Sequence, residues 1–144
     1  MSDSMPVQRP ALPAAVRRAV YLIVISMVPG VVDLVRGVHP PNPGQPTWFA
    51  PVVAAFTLAI ILALALLIWQ GRGWARVVYA VFYVLGVPMM IAVASQLSAW
   101  LADRPARAVL LLLQSASGLV ALALLFLPEA NTWFRATKLA RKSA

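Results

Sequence analysis

An all-α membrane protein, organised as a four-transmembrane-helix bundle, is the fold class this sequence predicts, and three observations carry it. Val77 to Ala102 is a run of 26 residues without a charged side chain, and Trp48 to Gln70 and Ala108 to Pro128 are similar runs. A hydrocarbon core of about 30 Å needs about 20 apolar residues at ~1.5 Å rise per residue, so each run is long enough to cross a bilayer. The composition agrees: 62% of the residues are hydrophobic, only 11% are charged and the mean hydropathy is +0.84. Soluble domains carry roughly 25% charged residues.

The first span is the weakest of the four. Only Ala19 to Val32 lies uncharged between Arg18 and Asp33. A signal-peptide core is the competing reading, but no small-x-small cleavage site follows, and Pro29-Gly30 and Asp33-Leu34-Val35-Arg36 continue the helical pattern. A single span over 13–36 is therefore expected, with arginine stems snorkelling to the interface and Pro13 in the first turn. His39-Pro40-Pro41-Asn42-Pro43-Gly44-Gln45-Pro46 cannot be helical and marks a solvated loop. Further spans follow over 48–70, 77–102 and 106–128, and a basic tail over 130–144 completes a single integral membrane domain. Alternating basic and apolar residues in that tail predict a short helix on the anionic leaflet.

Charge sets the orientation. Arg9, Arg17, Arg18, Arg72, Arg76, Arg135, Lys138, Arg141 and Lys142 fall on one side, against Arg36, Arg104 and Arg107 on the other. The positive-inside rule then places both termini in the cytoplasm and the proline-rich loop outside. Trp48 and Trp100 fall at the outer interface and Trp69, Trp74 and Trp133 at the inner one, where indole prefers to lie. With Arg72 and Arg76 in the tight turn Gly71-Arg72-Gly73-Trp74-Ala75-Arg76, these residues are expected to anchor the chain to lipid. The net charge of +8 sits at the ends of apolar segments, so the expected partner is a bilayer with anionic lipid headgroups rather than nucleic acid.

Polar residues within the spans are few. Asp33 has Arg36 one turn onward. Gln96 and Gln114 stand at comparable outer-leaflet depths and, with Ser117 and neighbouring serines, could form an interhelical cluster that Asp33 approaches. Ala55, Ala59 and Ala63 recur at intervals of four, a packing face that points to a homo-oligomer or a membrane protein partner. Gly86 and Pro88 predict a bend in the third span, with Met89 and Met90 filling the irregular space.

The hairpin motif, together with Leu124-Leu125-Phe126-x-Pro128-x-Ala130-Asn131-x-Trp133-Phe134 at the end of the last span, resembles a loose group of uncharacterised small bacterial inner-membrane proteins. Their pattern is four helices, a G-R-x-W-A-R hairpin and a W-F ending. The resemblance covers spans two to four and implies a bacterial inner-membrane location but no activity. Gly73 departs from it, where asparagine is expected.

Catalysis is not expected. One histidine, four acids and no clustered nucleophile leave little acid-base machinery, and the absence of cysteine excludes disulfides, zinc-thiolate sites and thiol redox chemistry. No cofactor or metal is called for. The expected role is an accessory, scaffold or regulatory membrane component. The chief alternative is a small oligomeric transporter or channel with an outward-facing polar cavity lined by Asp33, Gln96 and Gln114, for which a central intramembrane charge is missing.

Overall fold

The computed structural model describes residues 10–36, 46–95, 101–102 and 105–142. Its described elements are α1 (Ala14–Ser26), α2 (Val28–Val35), α3 (Phe49–Trp69), α4 (Gly73–Ser95), α5 (Pro105–Leu125) and α6 (Pro128–Lys142). Every regular element among the described residues is a helix. Three segments are long and apolar enough to cross a membrane: Ala14–Val35, Phe49–Trp69 and Ala108–Leu125.

The first of these is not one unbroken helix as the sequence pattern predicts. Met27 forms a turn between α1 and α2, and its N–H bonds back only three residues, to the Val24 carbonyl at 3.1 Å. The cause lies two residues ahead. Pro29 has no N–H to offer the Ile25 carbonyl, and its ring crowds that oxygen, so the regular ladder is interrupted there. Helical bonding resumes at once, with the Val31 N–H donating to the Met27 carbonyl at 3.0 Å. By contrast α4 continues through Pro88 as far as Ser95. The expected filling role of Met89 and Met90 concerns side chains outside the described residues, as do residues 37–45 of the proline-rich loop.

Helix α1 packs most extensively against α5 and also borders α3, while α4 lies against α3 and α5. The core joins Val16, Ala19, Val20 and Ile23 of α1 to Leu64, Ala65 and Ile68 of α3, Ala75 and Tyr79 of α4, and Ala121 and Leu125 of α5. Alanines at the crossings let the backbones approach closely. The stripe read as a face for a second copy or a partner helix, Ala55, Ala59 and Ala63, is exposed, and buried small residues spaced by four within the bundle are Ala15 and Ala19. Helix α3 is apolar all round, so hydrophobic pattern alone could not say which side faces inward.

One further close approach ties α4 to α5. A Cβ on Gly118 would lie 2.7 Å from the Tyr83 ring, and the Tyr83 hydroxyl donates to the Ser115 carbonyl at 2.8 Å. Glycine leaves the space that the Tyr83 ring occupies beside the α5 backbone.

Candidate functional site: a basic cleft at the hairpin end

The site is built where α3 turns into α4. Gly71 ends α3 with φ of +77°, the left-handed conformation that glycine adopts without steric cost. Its N–H bonds to the Ile68 carbonyl at 2.9 Å and the next N–H, of Arg72, to the Leu67 carbonyl at 3.0 Å. This paired closure satisfies two carbonyls that the helix end would leave open. Gly73, the second glycine of the turn, is helical and opens α4.

At the other end of the sequence, Pro128 starts α6 without a donor to waste, and Glu129 follows in the first turn where the helix dipole favours negative charge. Ala130, Trp133, Phe134 and Thr137, at offsets of three, four and seven from the first, form the buried stripe. That stripe docks on the hairpin. A Cβ on Gly71 would stand 2.7 Å from Thr137 Cγ2 and 3.1 Å from the Trp133 ring, so the missing side chain is the space α6 occupies. The tail is thus a helix, as its pattern predicts, with the Ala130–Trp133–Phe134–Thr137 stripe covered by protein and Leu139 exposed.

Polar contacts at three α6 residues, Trp133, Arg141 and Asn131, fasten it. The Trp133 indole N–H donates to the Pro10 carbonyl at 3.1 Å. Arg141 donates to the Gln70 carbonyl, and Arg76 donates to the Asn131 side-chain oxygen and, at 3.3 Å, to the Leu125 carbonyl. Asn131 in turn donates to the Phe126 carbonyl at 3.2 Å, so the open C-terminal carbonyls of α5 are met by one arginine and one asparagine. The Arg76 guanidinium also lies over the Phe134 and Phe126 rings, 4.7 and 5.3 Å from their centroids.

Two expected lipid anchors are therefore redirected. Trp133 is only 8% exposed and is a core residue of the hairpin–α6 junction. Arg76 is half-buried and bonded within the chain, because the end of α5 needed a donor. Burial, with the like charge of Arg135 added, lowers the Arg76 pKa from its ordinary value. Trp48, Trp69, Trp74 and Arg72 are exposed. Trp100 lies outside the described residues.

Between hairpin and α6 opens a cleft of about 500 Å³. Arg72, Arg76, Arg135, Lys138, Arg141 and Lys142 line it, with Trp74 and Phe134, and no acid is among the lining residues. Concave surfaces lined by one sign of charge focus the field and concentrate counter-ions. Chemically, the cleft presents positive charge and hydrogen-bond donors beside an aromatic side wall.

The polar cluster expected at the opposite end comprises Asp33, Arg36, Gln96, Gln114 and Ser117. Asp33 and Gln114 are half-buried and Arg36 is exposed. The Ser117 hydroxyl donates to the Gln114 backbone carbonyl at 2.9 Å, one turn back in its own helix. Gln96 lies outside the described residues. Tyr83 and Gly118 are residues that pattern reading passed over, and Asn131 entered it only as part of the motif after the last span. A polar residue just after Pro128 and a glycine inside an apolar span were the signals available for Asn131 and Gly118.

No family model matches the chain, and neither a curated protein nor a solved structure matches it.

Proposed function

We propose that this chain is a multi-pass protein of the bacterial inner membrane with both termini cytoplasmic, acting as an accessory, scaffold or regulatory component through a basic cytoplasmic platform. The observation that carries the reading is the return of α6 to the hairpin. Trp133 bonded to Pro10 and Arg141 bonded to Gln70 bring the beginning of α1, the α3–α4 turn and the C-terminal helix to one end of the bundle. An even number of crossings fits that arrangement, with α4 read as the fourth. The same end gathers Arg17, Arg18, Arg72, Arg76, Arg135, Lys138, Arg141 and Lys142, the distribution expected of a cytoplasmic face.

Anionic headgroups are the nearest partners for this platform. The outward Ala55, Ala59 and Ala63 stripe supplies a close-packing surface for a second copy or another membrane helix. Nothing in the inventory of side chains supports acid-base catalysis.

The chain has no cysteine, so single-cysteine variants report position cleanly. Lys142→Cys in intact cells is expected to resist a membrane-impermeant maleimide and to react in inverted membrane vesicles; labelling in intact cells overturns the orientation. Crosslinking in native membranes is expected to capture a neighbouring membrane protein. Substrate flux in reconstituted vesicles that disappears with Asp33→Asn would replace the accessory role with transport.

A further inference from the structure

The cleft has more positive charge than its internal contacts use. Arg76 and Arg141 are engaged with Asn131, Leu125 and Gln70, whereas Arg72, Arg135, Lys138 and Lys142 line the same space with no acid among the lining residues. Four cations around one concavity repel each other and call for more than one negative charge in return. Even Arg76, for all its contacts, keeps its Nε–H buried without a hydrogen-bond partner. An anion with several acceptor oxygens matches this donor-rich wall. Arginine forks and lysine ammonium groups both take phosphate oxygens, the former in pairs.

A second observation, independent of charge, says what the anion is attached to. Trp74 lines the cleft and is 53% exposed. From it an apolar track climbs α4 through Val77, Val81 and Leu85, all exposed and spaced by three and four residues, hence on one helix face. The track is part of the exposed apolar surface of the helices and begins at the edge of the cleft. An amphiphile would lay its hydrocarbon along it while its headgroup entered the cleft, with the indole at the boundary between the two.

We propose that the cleft between the α3–α4 hairpin and α6 is a binding site for a phospholipid carrying two phosphates. Arg72, Arg135, Lys138 and Lys142 hold the headgroup, and the acyl chains lie on the Trp74–Val77–Val81–Leu85 track. The inference rests on the membrane reading above and narrows its lipid partner to one headgroup class at one site.

Native mass spectrometry of the delipidated full chain in detergent tests it, with diphosphatidylglycerol, phosphatidylglycerol, phosphatidylcholine and inorganic pyrophosphate offered separately. One diphosphatidylglycerol per chain is expected to be retained in preference to the other three. The exposed pair Arg135→Gln and Lys138→Gln together is expected to weaken that retention by about tenfold or more, at roughly 1 kcal/mol for each surface cation. Arg36→Gln removes an exposed charge at the far end of α2, away from the cleft, and is expected to leave it unchanged. Circular dichroism of both variants checks that the helices persist. Equal retention of one-phosphate and two-phosphate lipids overturns the proposal, as does equal loss from Arg36→Gln and from the Arg135–Lys138 pair. Pyrophosphate binding without lipid retention assigns the cleft to a soluble anion instead. Maleimide accessibility of Lys142→Cys is read separately, so failure of the lipid site and failure of the membrane orientation are told apart.

Discussion

Gly71 does two jobs with one missing atom. It takes the left-handed backbone that closes α3, and it leaves room for Thr137 and Trp133 to settle on the turn. Gly71→Ala is expected to cost about 1–3 kcal/mol from the backbone alone, with the 2.7 Å encounter at Thr137 added to it. A lower melting temperature in detergent, together with faster proteolysis within α6, would register both effects; an unchanged melting temperature would remove the glycine from this role. That the turn needs a glycine could be read from Gly71-Arg72-Gly73, since a two-helix hairpin so short requires a positive φ somewhere. Which of the two glycines supplies it could not, because the choice depends on where α3 stops. Arg76 shows the same limit more sharply. An arginine at the foot of an apolar helix is as well suited to a lipid phosphate as to a helix end, and the Asn131 that claims it lies 55 positions away.

Among the elements, α6 is the one whose helical nature and docking were unequally readable. Its periodic Ala130, Trp133, Phe134 and Thr137 announce an amphipathic helix, but the same stripe would serve for lying on lipid. Only the surface of the hairpin, shaped by an absent Cβ, decides between membrane and protein. Trp133→Ala removes the largest side chain of this stripe and its bond to Pro10, and is expected to destabilise the docked state by about 3–5 kcal/mol. Hydrogen exchange should then rise across α6 while α1 and α5 stay protected. Exchange rising equally throughout the bundle would mean that α6 and the spans melt as one unit. Helix α3 presents the opposite case: its length was plain from the uncharged run, yet its inner face was not, because a helix without a polar side has no orientation written into it.

For the molecule as a whole, charge and length spoke clearly. Long uncharged runs separated by basic or proline-rich segments leave few alternatives to a helical membrane bundle, and the positive charges concentrate at one end of it. What composition does not reveal is that the buried core sits towards that same end, where α6 adds Ala130, Trp133 and Phe134 to the cluster. The outward Ala55, Ala59 and Ala63 then become a whole-molecule question of association. Ala59→Cys is expected to form a disulfide-linked dimer in oxidised native membranes if this stripe pairs two copies, with Thr57→Cys, exposed on the opposite face of α3, staying monomeric. Monomeric behaviour of both variants would exclude a symmetric contact at that stripe.

The docking of α6 on the turn also orders events during biosynthesis. The chain is made from the amino end, so the hairpin is threaded and closed before the residues that cover it leave the ribosome. A translation product ending near Leu127 would keep every apolar helix yet lack the α6 wall of the cationic cleft, so assembly of the apolar bundle and completion of the cleft are separable stages of synthesis.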